Sequence, residues 1–205
     1  LRVAHSGFPF GPNKQSICGR DSCPCGHGHA ETVEHTFKDC LRSKRLWEIV
    51  CHQWRDVTGE RKVTASLGRV VLFGDRSGTW SEVSEESEFA GLAEPFAVVH
   101  KVTLHTLLLE RNRDAAPRAG TRRTAAQLYQ KVQSTVQRIL SSAWTAALAR
   151  QRNDGGARIR QLRARWEAPG LAVVSRDERD MKLVLFMRAA TRARWRRPAE
   201  SARAF

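Results

Sequence analysis

The sequence predicts a mainly α protein, with a small Cys/His-centred subdomain in front and a helical bundle with a basic carboxyl-terminal helix behind it. Three observations carry this. Residues 23 to 40, CPCGHGHAETVEHTFKDC, place three cysteines and three histidines in eighteen positions. Three later stretches repeat apolar residues at helical spacing. From Gly155 to Phe205 there are thirteen Arg or Lys against five Asp or Glu, +8 of the chain's +14. These signals divide the chain into a linker over 1–17, the Cys/His subdomain over 18–60, a connecting segment with an acidic loop over 61–94, a helical domain over 95–153 and a basic helical arm over 154–205.

Each element has its own signal. Gly7, Pro9, Gly11 and Pro12 read as linker. From Leu41 to Val57, the set Leu46, Trp47, Val50, Trp54 and Val57 keeps to a helical stripe, and Thr58-Gly59 stops it. RVVLFGDRSG, between Val63 and Trp80, reads as a short extended segment, and SEVSEESE (81–88) as an acidic loop. Pro95 suits the start of a helix from Phe96 to about Arg113, apolar nearly all round and so central in the core. A long helix runs from Thr121 to about Arg152 on the stripe Leu128, Val132, Val136, Ile139, Ala143 and Ala147, with Asn153, Asp154, Gly155 and Gly156 as its break. Ser175 and Glu178 have capping-box spacing and predict a last helix through MKLVLFMRAATRARW.

Thirty-five Lys plus Arg against twenty-one Asp plus Glu, with a pI near 10.7, favour polyanionic partners through counterion release. No run approaches eighteen consecutive apolar residues, and no secretory h-region opens the chain, so membrane partnership is not expected and the location reads as intracellular. Five cysteines, four of them within 23 residues, suit a reducing compartment and a metal site better than a disulfide framework. The first residue is Leu1, which reads as a piece of a longer translation product.

Cys23, Cys25, His35 and Cys40 form the strongest quartet, C-x-C-x9-H-x4-C, ending in the H-x4-C spacing of retroviral zinc knuckles. Zn2+ takes four such ligands in a tetrahedron, and four protein ligands leave no place for water, so the site is structural. Gly26 and Gly28 allow the backbone to turn over the metal, and Thr32 can cap a short helix presenting His35. Cys18 is an alternative ligand, and His27 or His29 could stand in for His35. Cys51 reads as a small core residue, and His100 and His105, five apart, as ordinary helix residues.

CxCG with ETVEH, FKDC and RLW after it resembles the zinc-binding segment downstream of the polymerase domain in non-LTR (LINE-type) retrotransposon reverse transcriptases. The matching residues are Cys23 and Cys25, Glu31-Thr32-x-x-His35, Cys40 and Leu46-Trp47, with looser likeness in WRDVTGE, VLFG and LLLERNRDA. The likeness covers about residues 15 to 115. Many family members space the first two cysteines by two residues, whereas Pro24 alone intervenes here, so Cys18 could partner Cys25. The resemblance implies zinc, binding of element RNA or target DNA, an upstream polymerase domain and a nuclear location. Polymerase chemistry needs carboxylates around two metal ions, and this chain has no Asp-Asp pair, so no catalysis is expected of it alone.

Arg42, Lys44 and Arg45 are expected to face outward from the metal-fixed end of the first helix as phosphate contacts, or else as a solvated helix face. In the arm, Arg158, Arg160, Arg163 and Arg165 alternate with Ile159, Leu162 and Trp166, and Arg192, Arg194, Arg196 and Arg197 flank Trp195. Such interleaving suits single-stranded or structured RNA, with the two tryptophans as stacking platforms or as core anchors. A zinc-stapled helical module that docks a protein on its long helix is the alternative. The oligomeric state is not readable from sequence.

Overall fold

The computed structural model describes residues 23, 25, 28, 32, 35–59, 93–115 and 121–184. A π-helical turn, His35–Asp39, leads into α1 (Leu41–Thr58). Then come α2 (Ala93–Ala115), α3 (Ala125–Asp154), the short α4 (Ala157–Leu162), a second π-helical turn (Arg163–Glu167) and an antiparallel hairpin of β1 (Ala172–Val174) and β2 (Met181–Leu183). The mainly α reading holds, and no helix among the described residues is long and apolar enough to cross a membrane.

α3 is the spine, packed by α1, α2, α4 and β2. α1 buries Ser43, Leu46, Trp47, Val50, Cys51 and Trp54 along one face, and Gly59, at φ 74°, takes the left-handed position that ends it. Trp54 meets Phe96 of α2 edge-on, with centroids 5.0 Å apart. α2 buries a broad face, including Phe96, Val99, Leu104 and Leu107, although Leu109 is 51% exposed. Thr103 and Thr106 donate to the carbonyls of Val99 and Val102, so their hydroxyls enter the core satisfied.

α3 begins later than its periodicity suggested. Thr124 is the N-cap, with Gln127 N–H donating to its Oγ1 and its own N–H donating to Gln127 Oε1, a complete capping box. The buried stripe is Leu128, Val132, Val136, Leu140, Trp144 and Ala147. Ile139 is instead 45% exposed: from Leu128 to Trp144 the buried residues come every four positions, a line that turns about the helix relative to its 3.6-residue period and so passes through Leu140 and Trp144.

The last helix is corrected where it is described: Met181–Leu183 is a strand. Ser175 does not cap a helix but closes the hairpin turn. Its Oγ accepts from Asp180 N–H (3.0 Å) and bonds Asp177 Oδ1 (2.6 Å), while its carbonyl accepts from Glu178 N–H. Met181 and Leu183 are buried and Lys182 lies half out, the period of two that a strand needs. The extended segment near 63–80, the acidic loop 81–88 and the continuation past 184 lie outside the described residues.

Candidate metal centre

The elements that carry the quartet are bonded to one another. Thr32 accepts from His35 N–H at Oγ1 (3.0 Å) and from Thr36 N–H at its carbonyl (2.9 Å), capping the turn as its position suggested. The turn closes with Cys40 N–H donating to His35 O at 2.6 Å, an i→i+5 bond. That closure has a consequence for the ligands. In an α-helix, residues five apart point about 140° away from each other; the wider turn brings His35 and Cys40 toward one side. Ser43 Oγ donates to Thr36 O (2.6 Å) and Trp47 Nε1 to Phe37 O (2.9 Å), so the turn is tied to the buried face of α1.

One ligand atom from each of Cys23, Cys25, His35 and Cys40 lies within 4.8 Å of all the others. Cys25 Sγ is 3.5 Å from His35 Nε2. None of the three cysteines is in a disulfide. Cys23 and Cys40 are buried, while Cys25 and His35 are half-exposed. The two buried thiols are electrostatically unlike. Cys40 is held well below its ordinary value by the Cys23 thiol first, against desolvation, then by the backbone N–H groups of Arg42 and Ser43 at the start of α1 and by the charge of His35. Cys23 is pushed up by the same contact with Cys40 and by burial. A sulfur that prefers to be thiolate, beside three more soft or borderline donors, is a site able to hold a metal ion. The alternatives Cys18, His27 and His29 lie outside the described residues.

The basic residues divide. Lys44 and Arg45 are exposed and make no ion pair with a described residue. Arg42 corrects its expected outward position: Nη1 reaches Oδ2 of buried Asp114 at 2.6 Å. Its guanidinium is the only cation from α1 that meets Asp114 among the described residues, because Leu46 and Trp47, which fill the core, turn position 42 toward α2. Arg163 pairs with Glu178 (2.8 Å) and lies 5.9 Å over the Trp144 ring, and Arg165 pairs with Glu94 (2.5 Å). These two tie the arm to the bundle. Arg158, 3.7 Å from Asp154, and Arg160, bonded to Gly155 O, remain exposed. Trp166 is a core anchor, 6% exposed. Arg192, Arg194, Arg196, Arg197 and Trp195 lie outside the described residues.

Buried Glu110 and Asp114 escaped the sequence reading. Their signal was present, since they stand four apart in LLLERNRD on the face that also carries Leu107. His100 packs between Trp47 (5.5 Å) and Phe96 (6.2 Å) and His105 is exposed, consistent with ordinary helix positions.

Comparison of the chain with protein-family models, with curated proteins and with solved structures found no match.

Proposed function

We propose that the chain is a zinc-organised nucleic-acid-binding module of the kind found after the polymerase in LINE-type retrotransposon reverse transcriptases, non-catalytic on its own and directed to element RNA or target DNA. The observation that carries the reading is the quartet Cys23, Cys25, His35 and Cys40, gathered at the positions that resemble that family's zinc segment. With Zn–S near 2.3 Å and Zn–N near 2.0 Å, tetrahedral ligands stand about 3.5–3.8 Å apart. The 3.5 Å between Cys25 Sγ and His35 Nε2 suits that ion. Zinc bound there supplies a structural cross-link between the loop before the π turn and the start of α1.

Lys44 and Arg45 on the next turn, with Arg158 and Arg160 at the α3–α4 corner, are the described members of the expected set left for phosphate. They are point contacts on the backbone, so they give affinity with little sequence preference. The net charge of +14 supplies the long-range attraction. The polymerase domain upstream and a nuclear location belong to the same reading.

The second reading, a zinc-stapled helical module that docks a protein, would use exposed apolar residues such as Ile139 on α3 and Leu109 on α2, 45% and 51% exposed. Salt separates the two. Fluorescence anisotropy of a labelled structured RNA, titrated over salt with zinc and then with chelator, is expected to give tight low-salt binding, a steep salt slope and a loss on chelation. No binding at low salt overturns the nucleic-acid reading and leaves the docking module.

A further inference from the structure

Asp114 ends α2 with a side chain that has no exposed surface, and the nearest cation is Arg42 at 2.6 Å. Arg42 stands two residues after Cys40. Arg113 approaches the other Asp114 oxygen at 3.3 Å and also holds Oε1 of Glu110, itself 1% exposed, at 2.5 Å. Glu110 Oε2 takes Arg123 at 2.8 Å and Lys131 at 3.7 Å, from just before and within the first turns of α3. An unbroken line of ion pairs therefore runs from the metal-ligand end of α1, across the end of α2, to the beginning of α3. A carboxylate out of water is tolerated only while paired, and loss of one partner leaves the desolvation penalty unopposed.

We propose that Asp114, through Arg42, couples metal loading of the Cys/His quartet to the packing of α2 against α3. The proposal rests on the reading of the quartet as a metal site. A metal held by Cys40 fixes the first turn of α1 and with it the backbone from which Arg42 reaches inward. Without that cross-link the first turn keeps its backbone bonds and the Ser43 and Trp47 bonds, but nothing ties it to the loop that carries Cys23 and Cys25. Arg42, whose side chain is 22% exposed at the edge of the core, then exchanges Asp114 for water. Asp114 is left with Arg113, whose guanidinium is shared with Glu110, and the α2–α3 pairing loosens from the end of α2 and the beginning of α3. Arg42 and Asp114 are thus positioning residues, and the quartet reports its occupancy to helices that contribute none of its ligands.

The test is amide hydrogen exchange read by mass spectrometry on residues 107–114 and 125–131, with the full chain loaded with zinc or treated with chelator. The cobalt(II) charge-transfer absorption is recorded separately as a measure of metal binding. In the wild type, chelation is expected to speed exchange in both segments by about tenfold. In Arg42→Met, the cobalt spectrum persists, the zinc-loaded protein already exchanges at the chelated rate, and chelation adds less than about twofold. Lys131→Met, which leaves Arg123 on Glu110, keeps the wild-type response. Asp114→Asn gives the same reading from the other partner, and Arg42→Met carries the test if that variant does not fold. Equal chelation responses in wild type and Arg42→Met overturn the coupling and leave the metal site standing. Absence of the cobalt spectrum in the wild type overturns the metal reading and the coupling together.

Discussion

Gln137 of α3 and Leu183 of β2 are bonded as two strands would be: Leu183 N–H donates to Gln137 Oε1 at 2.7 Å. The same amide donates from Nε2 to the Met181 carbonyl at 3.0 Å, so one side chain satisfies the edge of β2 that faces the helix. A two-stranded hairpin is marginal by itself, and this contact is what lets it serve as a wall of the core. Gln137→Ala leaves those two buried main-chain groups without partners, at about 1–3 kcal/mol each. Urea unfolding of the variant measures it, and an unchanged midpoint overturns the assignment.

Within the proposed metal site, the ligands should rank by burial. Cys40→Ser and Cys23→Ser remove buried sulfurs and are expected to abolish one-to-one binding of cobalt(II), whereas Cys25→Ser, at the half-exposed side, weakens it and leaves a site that water can complete. Isothermal titration at two buffer ionisation enthalpies also reads the protons released on binding. The mutual contact of Cys23 and Cys40 holds one thiol low and the other high, so the pair is expected to release about one proton between its two members on binding near neutral pH.

Within the proposed nucleic-acid function, the basic residues are not equivalent. Lys44→Ala and Arg45→Ala should each lower the slope of log affinity against log salt by about 1. Arg163→Ala and Arg165→Ala should leave the slope nearly unchanged and lower stability instead, since their charges are spent on Glu178 and Glu94. Equal slopes for all four variants would remove Lys44 and Arg45 from the interface.

Cys51 gives a pH dependence with a definite sign. Burial pushes its thiol from 9.0 up to about 12, slightly opposed by the charge of Arg55. A raised folded-state value means that its contribution is fully present below 9 and is lost as pH rises toward 12, at about 1.4 kcal/mol per pH unit in that window. Denaturant midpoints measured from about pH 8 to 11 should therefore fall more steeply for the wild type than for Cys51→Ala. Parallel curves would mean that Cys51 ionises as readily folded as unfolded.

The quartet was legible in the sequence because its ligands sit on local chain, bound by the reach of a turn and one helical start. α1 was legible to within a residue because a strong stripe meets a Gly stop. The capping box was a different matter: Ser175 and Glu178 have the spacing, yet the working box is Thr124 and Gln127. Spacing names a possible hydrogen bond, and the residues downstream decide whether it caps a helix. After Thr124 comes a long run that buries a face on α1 and α2; after Ser175 comes a segment whose alternate residues find a core on α3.

By itself the sequence determined the composition of the Cys/His quartet, the helical class and the excess of positive charge, since each depends on residue type and short spacing. Only the tertiary structure decided which basic residues meet a carboxylate. Arg42, Arg163 and Arg165 look like Lys44 and Arg45 in the sequence, but they meet Asp114, Glu178 and Glu94 from distant stretches of chain. The reason is physical: a guanidinium reaches several ångströms, and whether it finds a carboxylate or water depends on what the packing of other helices brings within that distance.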